Sequence, residues 1–205
     1  MSGSCIVALD LEGVLSPEIW ISVAEKTKID ALRLTTRDVS DYDELMQHRL
    51  KILDEQGIKL SDIQSVIASL PLLSGAREFL DELREFCQVI ILSDTFEEFA
   101  KPIMQKLGYP TLFCHNLEIE NDKIIGYKLR QKNQKQHAVE ALKSLNFRIF
   151  AAGDSYNDIT MLKAAAKACL FCAPDSVKKE FPQFKATESY GELMREIKDF
   201  FQTRS

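Results

Sequence analysis

The feature that most constrains this fold is a short apolar run that ends in two carboxylates. Residues 5–9 read Cys-Ile-Val-Ala-Leu, which predicts a strand buried on both faces. Asp10 and Glu12 follow at once, and Gly13 permits a bend that lets both acids face one pocket. The run therefore predicts a buried strand with a polar site at its carboxyl end.

Beyond this run, predicted strands alternate with predicted helices. Strands are expected at 88–92, 111–114, 149–152 and 168–172, with a hairpin at 117–129. Helices are expected at 74–86, 96–107, 134–145, up to about 166, and 190–202. This order predicts an α/β fold, a Rossmann-like parallel sheet with helices on both faces.

Residues 16–71 break the alternation. Only helices are expected there, over 18–26, 41–56 and 61–70. We therefore predict a small helical cap over 16–71, inserted into a catalytic core formed by 1–15 and 72–205.

Charge and composition narrow the classes of partner. A net charge of -5 without a basic tract argues against nucleic acid. No apolar run approaches the roughly 20 residues of a membrane helix, and no export signal is recognised, so we expect no membrane association and a cytoplasmic location. The five scattered cysteines suggest no disulfide framework, and nothing specifies an oligomeric state.

Three predicted strand ends carry reactive groups, and they meet at one edge of a parallel sheet. The first has Asp10 and Glu12, the second has 93–95 (Ser-Asp-Thr), and the third has 153–158 (Gly-Asp-Ser-Tyr-Asn-Asp). Several carboxylates at one place suit Mg²⁺, which takes one or two carboxylates together with a substrate phosphate.

Capping-box patterns place a lysine at this edge. They occur at Thr95-x-x-Glu98, Asn133-x-x-Gln136 and Ser155-x-x-Asp158. The second puts Lys135 in the first turn of a helix, where a cation is unfavourable unless an anion such as phosphate lies opposite. Lys132 is the alternative lysine. This set of groups predicts phosphoryl transfer through an aspartyl-phosphate: a carboxylate nucleophile, a neighbouring acid/base group, a hydroxyl, a lysine and a metal.

Two further residues suggest an amino-acid substrate. Arg49 lies four residues from both Leu45 and Leu53, on the apolar face of its helix. An inward guanidinium needs an anion, either a substrate carboxylate or a protein acid, unless it extends past the face to solvent. Glu18 could bind a substrate ammonium or act only as a first-turn acid. His48, His115 and His137 share no ligand spacing, so no metal or catalytic role is expected for them.

These motifs resemble a known family. Residues 10–14 (Asp-Leu-Glu-Gly-Val), 93–95, Lys135 and 153–158 are similar to the four motifs of haloacid dehalogenase-like phosphatases. The helical insertion resembles the cap of their phosphoserine phosphatase branch. Glu12 stands where the usual first motif has Asp, and with residues 18–20 (Glu-Ile-Trp) and Arg49 it resembles the bacterial ThrH-type group.

The resemblance implies roles for nine residues. It implies that Asp10 is the nucleophile, that Glu12 is the proton donor, and that Ser93 and Lys135 assist. The implied Mg²⁺ ligands are Asp10, the Glu12 backbone carbonyl and Asp154. The implied substrate contacts are Glu18, Arg49, Ser93, Asp94, Lys135 and Asn157.

The resemblance implies the activity of a phosphoserine phosphatase. It also implies transfer of the phosphoryl group to homoserine and a place in serine and threonine biosynthesis. The alternatives are a phosphatase for another small phosphomonoester and a non-catalytic phosphoamino-acid-binding module. Intact Asp10, Glu12 and Lys135 argue against the module, because binding alone needs no nucleophile.

Overall fold

The structure is a computed structural model that describes residues 4–35, 38–39 and 41–203. Its strands form one sheet in the order β4-β3-β2-β1-β5-β6-β7, parallel except where β4 runs antiparallel to β3. The strands are β1 (Cys5–Leu9), β2 (Gln88–Phe96), β3 (Thr111–Glu120), β4 (Lys123–Lys128), β5 (Arg148–Gly153), β6 (Lys167–Phe171) and β7 (Lys185–Thr187). The predicted α/β class is confirmed.

Helices cover both faces of the sheet. They are α1 (Ile19–Thr27), α2 (Tyr42–Glu55), α3 (Leu60–Ser69), α4 (Ala76–Arg84), α5 (Glu97–Lys106), α6 (Gln134–Ser144), α7 (Ile159–Ala164), α8 (Asp175–Glu180) and α9 (Tyr190–Gln202). None of the helices in the described ranges is long and apolar enough to cross a membrane.

Strand β1 lies at the centre of the sheet, between β2 and β5. Its side chains alternate between two hydrophobic cores, as the period of a strand requires. Val7 and Leu9 join the core that contains the apolar faces of α4, α5 and α9. Ile6 and Ala8 join the core beneath α6, α7 and α8. Burial on both faces explains why the strand reads as a continuous apolar run.

Between β1 and β2, the elements that the structure describes are all helices, α1 to α4 and a short 3-10 helix at Asp30–Arg33, apart from an isolated bridge between Glu12 and Ser16. Its helix α3 begins against the tip of the β3–β4 hairpin. Asp122 accepts hydrogen bonds from the Ser61 backbone N–H at 3.0 Å and from its hydroxyl at 2.6 Å. The division into a cap at 16–71 and a core stays a prediction, and residues 1–3, 36, 37, 40, 204 and 205 lie outside the described residues.

Two of the three predicted capping boxes are wrong. Strand β2 continues to Phe96, so Thr95 lies in the sheet, and the Glu98 carboxylate accepts instead from the Leu117 N–H at 2.9 Å. Asn133 occupies the N-cap position of α6 without a side-chain capping bond, whereas the Ser155–Asp158 box is present. Strand β3 is also continuous, joining the predicted strand and the first arm of the hairpin.

Candidate active site

The turn after β1 fixes the first two acids. The Asp10 N–H donates to the Ala152 carbonyl at 3.0 Å, which extends the pairing with β5 by one residue. Gly13 has φ +79°, which an L side chain rarely adopts, and its N–H donates to the Ser16 carbonyl at 2.8 Å. The Glu12 carboxylate accepts from the Ile19 N–H at 2.8 Å, at the start of α1. The predicted bend is therefore present, and it delivers both acids to one cavity.

Three carboxylates converge beside this turn. Oxygens of Asp10, Asp154 and Asp158 lie within 4.8 Å of one another. The approach depends on two glycines, because a Cβ on Gly13 would lie 2.4 Å from the Asp154 Cγ, and one on Gly153 would lie 2.3 Å from the Asp158 Cγ. A cluster of oxygen ligands with this charge fits a hard divalent cation such as Mg²⁺.

Lys135 lies against two of these acids. Its Nζ is 2.9 Å from Asp10 Oδ1, 2.8 Å from Asp158 Oδ1 and 3.8 Å from Asp94 Oδ2. Its side chain is buried, whereas Lys132 is exposed and borders a neighbouring cavity. This placement favours Lys135 over Lys132 as the phosphate-binding lysine.

Asp158 was expected as a helix cap and as one of the acids beside Asp10, and the structure also pairs it with Lys135. Its Oδ2 accepts from the N–H groups of Asp154 and Ser155 at 3.0 and 3.1 Å, as a cap should. Its Oδ1 holds Lys135. The capping pattern in the sequence located this residue, but only the distance across the site reveals the ion pair.

The charges of the cluster perturb one another. Burial and the carboxylates of Asp158 and Asp154 raise the pKa of Asp10 well above its usual range, although Lys135 opposes them. Burial acts to lower the pKa of Lys135, but Asp10 and Asp158 outweigh it and raise that pKa. The site thus holds more negative charge than one lysine neutralises, which is the condition that a bound cation relieves.

Glu12 has the properties of a proton donor. Burial and the nearby charge of Glu18 raise the pKa of Glu12 to about 8, although the hydrogen bond from the Ile19 N–H opposes the shift. A carboxyl group with this pKa carries its proton at neutral pH, as a general acid requires.

Arg49 lines the same cavity as these acids, and the prediction that it faces inward is confirmed. It is buried, and its guanidinium stacks 4.5 Å from the centre of the Trp20 ring. One nitrogen donates to the Leu34 carbonyl at 2.7 Å, while Nε is buried with no hydrogen-bond partner among the described residues. Burial lowers the pKa of Arg49 to about 10, so it remains charged at neutral pH.

One cavity of about 340 Å³ joins these groups. All nine residues for which the resemblance implies roles line it: Asp10, Glu12, Glu18, Arg49, Ser93, Asp94, Lys135, Asp154 and Asn157. Glu18 and Asn157 are exposed at its border, and Ser93 is buried. Tyr42, which was not predicted, also lines it, and its hydroxyl donates to the Asp94 carbonyl at 3.3 Å.

Comparison with known proteins identifies the class. Residues 6–166 match the model of the haloacid dehalogenase-like hydrolases, so the chain belongs to that family of enzymes. The chain is 62% identical to the phosphoserine phosphatase ThrH of Pseudomonas aeruginosa, over 94% of each chain. It is 59% identical to a phosphoserine phosphatase of Pseudomonas syringae pv. tomato, over 95% of this chain and 84% of the relative. The resemblance stated from the motifs is confirmed.

A solved structure shares the fold. It is a phosphoserine phosphatase with a phospho-aspartyl intermediate analogue, and it aligns with a TM-score of 0.74 at 19% identity, over 95% of this chain and 99% of the other. At this identity the likeness concerns the fold alone.

Proposed function

We propose that this protein is a Mg²⁺-dependent phosphoserine phosphatase that acts through an aspartyl-phosphate on Asp10. The observation that carries the proposal is that one cavity is lined by two different cationic groups. Lys135 is held against Asp10, and the buried guanidinium of Arg49 has no carboxylate within 4 Å in the described part of the chain. The names of the closely similar relatives support the same substrate.

The charged groups that line the cavity suit the charged groups of phosphoserine. The substrate carboxylate would pair with Arg49, whose fork of donors suits a carboxylate. Its ammonium would lie near Glu18, and its phosphoryl group would lie between Asp10 and Lys135. Ser93 and Asn157 would complete the contacts around the phosphoryl end, with Asp94 at its border.

The proposed metal ligands are Asp10, Asp154 and the Glu12 backbone carbonyl. The surplus of carboxylates around Asp10 supports a cation there. When bound, Mg²⁺ would neutralise the charge of the transferring phosphoryl group and keep Asp10 ionised.

The proposed chemistry uses two displacements at phosphorus. An Asp10 oxygen attacks, the bond from phosphorus to the serine oxygen breaks, and Glu12 gives that oxygen its proton. Water then attacks the aspartyl-phosphate and gives a proton to Glu12, and the bond to Asp10 breaks to release phosphate. Lys135 stabilises the phosphoryl oxygens in both steps. Residues 16–71 would act as a cap that closes over the substrate and reopens for the second step.

The direct test is release of inorganic phosphate from phosphoserine. The wild-type protein should release phosphate with Mg²⁺ and stop when EDTA is added, while a panel of small phosphomonoesters without the amino-acid carboxylate should react far more slowly. Equal rates across the panel would favour another substrate. Binding of phosphoserine without phosphate release would favour the non-catalytic module.

We further propose transfer of the phosphoryl group to homoserine. Homoserine carries the same ammonium and carboxylate as serine, so Glu18 and Arg49 could hold it after serine leaves. A well-oriented acceptor competes with water at roughly 55 M, because oriented reactions reach effective molarities of about 10⁵–10⁸ M. Phosphorus NMR with phosphoserine, Mg²⁺ and millimolar homoserine should reveal phosphohomoserine. Inorganic phosphate alone at every homoserine concentration would refute the transfer.

The cellular setting is also a proposal. The substrate implies a place in serine biosynthesis, and transfer would add threonine biosynthesis. A cytoplasmic location agrees with that setting, and fractionation of cells would test it.

A further inference from the structure

Asp94 is a competing anion at the phosphoryl end of the site. Lys135 has three N–H donors, and Asp10 and Asp158 accept two of them at 2.9 and 2.8 Å. The Asp94 carboxylate stands 3.8 Å from the same Nζ. The third donor is therefore the one that a phosphoryl oxygen would receive, and Asp94 is close enough to take it.

The side chain of Gln134 is fixed behind Asp94. Its Oε1 accepts from the Arg130 guanidinium at 2.7 Å, and its Nε2 donates to the Ser93 carbonyl. These two partners set the orientation of the amide, because the guanidinium only donates and the carbonyl only accepts. The Nε2 then lies 3.3 Å from Asp94 Oδ1.

The tautomer of His115 is fixed in the same way. This residue is buried, and its Nδ1 accepts from the Arg130 backbone N–H at 3.1 Å. The ring therefore carries its proton on Nε2, which lies 3.6 Å from Asp94 Oδ1 and 3.3 Å from Gln134 Nε2, so that two donors approach the same carboxylate oxygen. Burial acts to raise the pKa of Asp94, but Lys135, His115 and Gln134 outweigh it and lower the pKa to about 2. Asp94 is thus an ionised carboxylate with donors on the side away from Lys135.

We infer that His115 is a positioning residue, whose Nε2–H holds the Asp94 carboxylate back from Lys135 and so keeps the third ammonium donor available for a phosphoryl oxygen. The inference rests on the proposed function, in which Lys135 binds the phosphoryl group. Without the N–H, rotation of the Asp94 side chain gives Lys135 a third close carboxylate. Phosphate and phosphomonoesters then bind more weakly, while the rate of the bound complex changes little.

The position of His115 permits a chemical test. It lines a second cavity of about 540 Å³, which also contains Lys132 and shares Asp94 and Lys135 with the first. A small molecule can therefore reach the space left by a truncated His115 side chain.

The first experiment uses His115→Ala. The KM for phosphoserine and the inhibition constant of inorganic phosphate should each rise about tenfold, the loss expected for one hydrogen bond to a charged group, with kcat within about threefold of wild type. Added imidazole should restore both constants. 1-Methylimidazole should not, because it can accept from the Arg130 N–H but has no N–H to offer Asp94.

A near-isosteric pair provides a second test that does not leave a hole. His115→Gln keeps an N–H donor and should bind phosphate as wild type does, whereas His115→Met lacks it and should show the tenfold loss. In a protein that already carries Asp94→Asn, the further change His115→Met should cost little phosphate affinity, because no Asp94 carboxylate remains to compete for Lys135. Circular dichroism and thermal unfolding identify any variant that fails to fold.

The outcomes separate this inference from the proposed function. A wild-type protein that does not hydrolyse phosphoserine overturns the proposed function, and calorimetric binding of inorganic phosphate to the same variants still tests His115. The inference is overturned if His115→Gln and His115→Met bind phosphate equally, or if imidazole and 1-methylimidazole rescue His115→Ala equally. It is also overturned if kcat of the variants falls while KM and the inhibition constant of phosphate stay constant.

Discussion

Replacement of Gly13 by Ala tests whether the proposed metal site depends on the close approach of the turn after β1 to Asp154 at the end of β5. The added Cβ would lie 2.4 Å from the Asp154 Cγ and 2.5 and 2.6 Å from its carboxylate oxygens. Contact between carbon atoms is favourable at about 3.5–4.0 Å, so the Asp154 carboxylate has to move by roughly 1 Å. We expect the Mg²⁺ concentration for half-maximal activity to rise at least about tenfold, as when metal ligands lose their support.

Gly57→Ala is the matched control. Gly57 has φ +63°, close to the +79° of Gly13, but a Cβ there meets nothing within 4 Å. Both variants should lose about 1–2 kcal/mol through the left-handed backbone, or roughly 2–8 °C in Tm. Only Gly13→Ala should also need more Mg²⁺. Equal Mg²⁺ dependence in both variants would refute the steric argument, since backbone strain is then the whole effect.

Three other changes test the proposed chemistry. Asp10→Asn should keep the fold but retain less than about a tenth of kcat, which corresponds to a barrier increase above roughly 1.4 kcal/mol. A smaller loss of kcat in a steady-state assay would contradict the role of Asp10 as nucleophile. Arg49→Ala should lower kcat/KM for phosphoserine by the equivalent of about 1.5–3 kcal/mol of transition-state stabilisation, but spare an ester without a carboxylate. Lys51→Ala, an exposed position on the same helix, is the control. An equal fall in kcat/KM for both substrates would contradict carboxylate recognition. Because Glu12 must be protonated to assist departure of serine, activity should decline as pH rises through about 8. In the first turnover, which reports formation of the aspartyl-phosphate, Glu12→Gln should slow phosphoserine about 10²–10⁴-fold and p-nitrophenyl phosphate much less, because p-nitrophenolate leaves without a proton. Equal losses in that step would argue against a proton donor.

The sheet could be predicted from the sequence because buried strands give continuous apolar runs and long helices give a clear helical period. Strand β1 and helix α9 have the bounds expected from apolar runs and periodicity. Helix α8 and strand β7 were missed because they span six and three residues, too few for a periodic pattern to develop.

Side-chain partners were harder to predict than elements. Glu98 has the spacing of a capping box, yet its carboxylate is used by the Leu117 N–H of a neighbouring strand. A local pattern cannot reveal a competing partner that is distant in sequence. The inward position of Arg49 followed from helical spacing, whereas its stacking on Trp20 depends on how two helices pack.

The central place of β1 has a consequence for synthesis of the chain. This strand is translated before both of its neighbours, which begin at Gln88 and at Arg148. A nascent chain that stops short of Arg148 leaves one edge of β1 unpaired, and unpaired apolar edges are templates for aggregation. Arrested or truncated products that lack β5 should therefore enter the insoluble fraction, while products that end after β5 retain a paired central strand.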